Sequence, residues 1–179
     1  MRKHRPILMI FLMIICVSCK KSNSSGNYIT CSVNGIQKSF DFQAKAYNTT
    51  YLNGTVLIAL TGYLNSTAGS PEIELAISNS SSSNPIVPGI YYDSSSIFDV
   101  SSIYYKTTFN NSSDSDYVAN PQVVRNAIFN NIAISHLAIN ISYLSKSSIQ
   151  GTFSGDYYFG DDTKSTPISI TNGNFNLSF

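Results

Sequence analysis

The chain has 179 residues, a formal charge of +1, 12% charged residues, twelve tyrosines, ten phenylalanines and no tryptophan. That length suits one globular domain with its own hydrophobic core. The basic residues form no stripe, which argues against nucleic acid as a partner, and three cysteines are too few for a disulfide framework.

Met1-Arg2-Lys3-His4-Arg5 is followed by an apolar run over residues 7–17 and then by Ser18-Cys19. A basic start, a short apolar stretch and a small residue before a break form the layout of a secretory signal. The run is well short of the roughly 20 residues a membrane-spanning helix needs. Cys16-Val17-Ser18-Cys19 resembles the lipobox of bacterial lipoproteins, with Cys16 standing where that family usually has Leu. The resemblance implies removal of residues 1–18 as a signal peptide and acylation of Cys19. Several acyl chains, at about 0.8 kcal/mol per buried methylene, would tie the chain stably to a lipid bilayer. Lys20 follows where inner-membrane retention usually needs Asp, and no acidic run favours export to the surface. The resemblance therefore points to the outer membrane, facing the periplasm.

Residues 19–27 are polar and small and read as a flexible linker behind the lipidated Cys19, with a single domain over 28–179. Cleavage leaves 161 of the 179 residues, eight Lys and Arg against ten Asp and Glu, and Cys31 as the one unmodified thiol. Such a domain forms no internal disulfide. Cys31, on an expected strand, is read as a small buried hydrophobe.

From Tyr28 onward apolar residues recur with period two, which predicts an all-β chain. Residues 28–33 and 36–42 flank Asn34-Gly35, a strong hairpin signal because both turn residues tolerate positive φ. Strands are expected at 55–63 and 72–78, the latter with Ile73, Leu75 and Ile77 on the core face. Pro85 and Pro88 introduce a short edge strand ending at Tyr92. A strand over 101–109 precedes a polar loop, and Asn120-Pro121 predicts a helical turn through Arg125. Residues 128–143 read as one long strand bulged near Ser135-His136. Strands over 149–159 and 167–179 close the chain, the last with a parity shift at Asn172-Gly173. About ten strands imply an antiparallel β-sandwich or flattened barrel.

Gly151-Thr152-Phe153-Ser154-Gly155, Ile170 to Phe175 and Pro85 to Tyr91 resemble short features of small uncharacterised β-rich lipoproteins of the Bacteroidota. That resemblance implies an exported β-sandwich and brings no activity with it.

Chemistry is sparse. After signal removal His136 is the lone histidine, without the partners a zinc site or a serine triad requires, so no metal, no cofactor and no catalytic residue is assigned. The expectation is a protein that is not an enzyme. Asp156, Asp161, Asp162, Asp114 and Asp116 are candidates for a carboxylate pair acting on glycosides, or for a calcium loop, but loop acids of this kind are ordinarily solvated. Tyr91-Tyr92, Tyr104-Tyr105 and Tyr157-Tyr158 are more suggestive. With Ile103 and Phe153 taken as core, Tyr104 and Tyr158 should face outward and, with Tyr91, form a binding surface for a glycan or an envelope protein. Scattered strand tyrosines are the plainer reading. The function expected is that of a membrane-anchored envelope lipoprotein serving as a non-enzymatic binding or structural module. The alternative is a carbohydrate-binding or carbohydrate-active accessory protein.

Overall fold

The computed structural model describes residues 26–79, 83–105 and 116–179. The signal peptide, Cys19, most of the linker and Asp114 lie outside the described residues. Among the described residues there are eleven strands and one helix: β1 (Tyr28–Val33), β2 (Ile36–Phe40), β3 (Phe42–Thr50), β4 (Val56–Tyr63), β5 (Glu72–Asn79), β6 (Gly89–Tyr92), β7 (Phe98–Tyr105), β8 (Asp116–Ala119), α1 (Pro121–Asn130), β9 (Ala138–Leu144), β10 (Ser148–Phe159) and β11 (Ile168–Ser178). All strand pairings are antiparallel, as expected of an all-β sandwich.

Two layers arise from one continuous sheet. The first runs β6-β9-β10-β11-β1-β2 and the second β3-β4-β5-β7-β8. β10 belongs to both: its first half pairs with β9, and its last two residues, Tyr158 and Phe159, pair with β8. On the opposite side only Asp41 separates β2, at the edge of the first layer, from β3, at the edge of the second. The sandwich is thus nearly closed into a flattened barrel.

The β1–β2 turn forms as its sequence predicts, with Asn34 and Gly35 at φ of 48° and 80°. β2 ends sooner than expected, and β3 is a strand the period-two pattern does not reveal. Its inward residues are Ala44 and Ala46, too small and too poor in β preference to stand out, and Gln43 sits in a bulge at φ 53°. The core face of β5 is the expected one: Ile73, Leu75 and Ile77 are buried.

The segment read as a long strand over 128–143 divides differently. Asn120 caps α1 by accepting the Val123 N–H at 2.9 Å, Pro121 opens it, and the helix runs on to Asn130 because Val123, Val124 and Ala127 form a buried stripe. Ile128 and Phe129 are exposed near its end, and these apolar residues imitate a strand in the sequence. Residues 132–137 join no ladder, so the expected bulge at Ser135-His136 does not exist. The shift expected at Asn172-Gly173 does: the register of β11 slips there against both β1 and β10, with Asn172 at φ 52°.

Asn27, expected in the linker, is fixed. Its side-chain amide donates to Ala44 O at 2.9 Å and Ser178 Oγ at 2.8 Å, while its carbonyl accepts from Ser178 N at 2.9 Å. The domain therefore begins one residue earlier than the pattern suggests.

At the centre, Tyr157 is fully buried and donates to Ser102 Oγ at 2.7 Å, and Ser102 in turn donates to Glu74 O at 2.6 Å. Gly151 and Gly155 follow the same parity as Tyr157 and let the backbones of β9 and the segment before it approach closely. A Cβ on Gly151 would strike Asn140 O and the Phe175 ring. Gly151→Ala should therefore destabilise the fold by roughly 3 kcal/mol, whereas Gly26→Ala, with open space around it, should leave it unchanged. Paired urea denaturation curves provide the comparison, and equal midpoints would refute it.

Candidate functional site

The three tyrosines expected to form an outward surface do not form one. Tyr104 is 4% exposed and meets Phe40 edge-on at 6.2 Å inside the core. The parity of β7 is the reverse of that expected, because Val100, Ser102 and Tyr104 turn inward and the Ser102 hydroxyl is consumed by the buried Tyr157 chain. Tyr158 stands opposite Val118 on the outer side of the second layer, yet it too is only 4% exposed. It lies outside the main core cluster, as do the buried residues of α1, and Asn120 and Asn126 tie that helix to Asp161 in the loop after β10. Tyr91 is 5% exposed; its hydroxyl bridges Val87 N and O, and its ring packs edge-on against Phe98 at 4.9 Å. Its neighbour Tyr92 is the exposed ring, at 46%.

A different surface emerges from the register. On the outer side of the first layer, Ser39, Thr30, Asn174, Thr152, Asn140 and Ile90 stand abreast across six strands. A second row holds Tyr28, Asn176, Gln150 and Tyr143, and a third holds Ser154, Ala138 and Tyr92. At the usual strand spacing this face is about 24 Å wide. The described cations are Lys38, Lys45, Arg125, Lys146 and Lys164, and none stands in these rows. Two acids border the rows: Asp41, whose Oδ2 accepts from Ser39 Oγ at 3.3 Å at the β2 end, and Asp156, opposite Ser169 near the end of β10. The face thus presents amides and hydroxyls, each able to donate or accept, flanked by tyrosine rings.

The outer side of the second layer carries the acids. Glu72 is 8% exposed and accepts from Thr61 Oγ1 at 2.8 Å. Burial, followed by the adjacent Glu72, raises the pKa of Glu74 above its ordinary 4.5. Glu72 and Glu74 stand two residues apart on the same face of β5. The acids singled out in the sequence are elsewhere. Asp161 and Asp162 are engaged in the β10–β11 loop, where Asp162 Oδ1 accepts from Lys164 N, and Asp116 lies across from Tyr105. Among the described residues no three His, Cys, Asp or Glu side chains gather where they would hold a metal ion.

Cys31 is fully buried as expected, and burial pushes its thiol up to about 12. His136 is not idle: its Nδ1 lies 2.8 Å from Oδ1 of the buried Asp93, whose other oxygen accepts the Leu137 N–H at 3.0 Å. Burial raises the Asp93 pKa, and the Leu137 and His136 contacts partly oppose it.

No family model matches this chain, and no curated protein or solved structure is detectably similar to it.

The broad face has hydrogen-bonding groups, while of the two titratable pairs one lies within β5 and the other joins the turn after β6 to the segment before β9. That pairing has consequences. Glu74 keeps its proton in the fold to a higher pH than in the unfolded chain, so its contribution is complete below about 4.5 and lost as pH rises through its folded value. Glu74→Gln, a permanent donor, should raise the melting temperature at pH 7 by roughly 2–4 °C and leave it unchanged at pH 4. A pH-independent effect in thermal scans would contradict this. Asp93→Ala strands the Leu137 N–H and removes the His136 partner, and should cost roughly 2–4 kcal/mol by chemical denaturation.

Proposed function

We propose that this chain is a lipid-anchored, non-enzymatic binding module of the bacterial envelope, and that the outer face of β6-β9-β10-β11-β1-β2 binds an uncharged glycan. The observation that carries the reading is the neutral row from Ser39 to Ile90, in which five adjacent strands each present a hydroxyl or an amide. Sugar hydroxyls both donate and accept, and side chains with the same dual character match them without a net charge. Tyr28, Tyr143 and Tyr92 border the rows and offer ring faces for the apolar side of a sugar, a role open to tyrosine in a chain without tryptophan.

The anchoring half of the proposal rests on the lipobox-like Cys16-Val17-Ser18-Cys19, and the address, the outer membrane facing the periplasm, on Lys20 and the lack of an acidic run. Among the described residues no helix is long and apolar enough to cross a membrane. Cys19→Ala should move the chain from the membrane fraction to the soluble one and abolish labelling by a palmitate analogue; continued labelling would refute acylation at this residue.

Glycan binding is tested with the purified full chain on an array of neutral oligosaccharides. The double variant Thr152→Ala/Asn174→Ala removes two adjacent hydrogen-bonding groups from the centre of the face. It should weaken binding roughly 30-fold, about 1 kcal/mol for each group, with an unchanged thermal transition. Undiminished affinity would place the ligand elsewhere.

A further inference from the structure

Among the described residues β6 pairs with β9 alone, and no described strand pairs with its other long side. There the chain turns through residues 93–97 before starting β7 and leaves a groove of about 430 Å³. Ile90, Tyr92 and Ile97 line it as exposed side chains, together with Ser94 and Ser96. Its size falls within the usual ~300–1,000 Å³ of small-ligand sites.

Two observations make the groove part of the neutral face rather than a separate depression. Ile90 and Tyr92 belong to both: each lines the groove, and each also ends a row, opposite Asn140 and Ala138. At that boundary apolar groups join the hydroxyls: two isoleucines and a tyrosine ring stand beside Ser94 and Ser96, with no charged side chain among the lining residues.

The groove is also preformed. Tyr91 and Phe98 lock edge-on beneath it, and Tyr91 OH is held by Val87. Asp93, between Tyr92 and Ser94, is pinned by its own N–H to Leu137 O at 3.2 Å and by its carboxylate to Leu137 N and His136. Ser95 Oγ accepts from the N–H groups of Ile97 and Phe98, which fixes the remainder of the turn. Little conformational freedom is left to lose on binding.

A ligand spanning face and groove must be neutral, rich in hydroxyls along its length, and must carry a small apolar group at the end that enters beside Ile90 and Ile97. A plain hexose would leave both isoleucines against a hydroxyl, and an acidic sugar would bring a charge with no cation among the described lining residues to meet it. We infer that the groove is the subsite for the acetamido methyl of an uncharged N-acetylated sugar, carried by a glycan lying across the outer face. The inference rests on the glycan reading of that face and adds the class of sugar.

The experiment compares chitotriose with cellotriose, which share linkage and length and differ in the acetamido group at C2. Both are titrated calorimetrically into the full chain in detergent. Chitotriose should bind about four-fold tighter, the yield of burying one methyl group. Ile97→Ala, outside the neutral rows, should erase most of that difference without changing cellotriose affinity. Equal affinities for the two sugars in the unaltered chain would overturn the groove assignment while leaving the face reading intact, provided Thr152→Ala/Asn174→Ala still weakens both. A preference for chitotriose that survives Ile97→Ala undiminished would also overturn it. Binding of neither sugar would overturn the assignment and the glycan reading together.

Discussion

β10 has to satisfy two layers at once, and the rest of the molecule is arranged around that requirement. Over its first half it lies between β9 and β11, and at Tyr158 and Phe159 it becomes the neighbour of β8. Tyr157 stands at the crossing, fully buried, and its hydroxyl reaches Ser102 on β7. A phenol placed so deeply is tolerable because the chain of donors continues to Glu74 O and leaves neither hydroxyl unsatisfied. The same contact sets the parity of β7, turns Tyr104 inward and directs Ile103 and Tyr105 to the other side.

That dependence explains what could be read from the residues alone. The all-β class, the Asn34-Gly35 hairpin, the core face of β5, the edge position of β6 and the slip in β11 are local, fixed by turn chemistry, proline or strong alternation. The orientation of β7 is not local. Ser102 looks like a surface residue and Ile103 like a core one, and only a partner fifty-five positions away reverses them. β3 is hard to see for want of large side chains, and the helical signal for α1 stops short of its end because Ile128 and Phe129 are apolar yet exposed.

The candidate site shows the same division. The tyrosine doublets stand out in the sequence as aromatic pairs, but the inward member of each serves the core or a loop anchor. The neutral face was visible as a quieter signal: Gln150, Thr152 and Ser154 alternate on β10, and Asn174, Asn176 and Ser178 on β11. What the sequence does not reveal is that these sets lie side by side, since that follows from register and from the bulge at Asn172. Nor does anything near His136 suggest Asp93, forty-three residues earlier, as its partner.

Asn27 gives the domain a mechanical character. It is the first residue of the described chain to be held by its side chain, and its amide joins the start of β1 to Ser178 at the end of β11 and to Ala44 on β3. A pull on the segment ahead of it runs along the axis of β1, between β2 and β11. The load is therefore shared as shear across ladders on both flanks instead of opening one hydrogen bond after another.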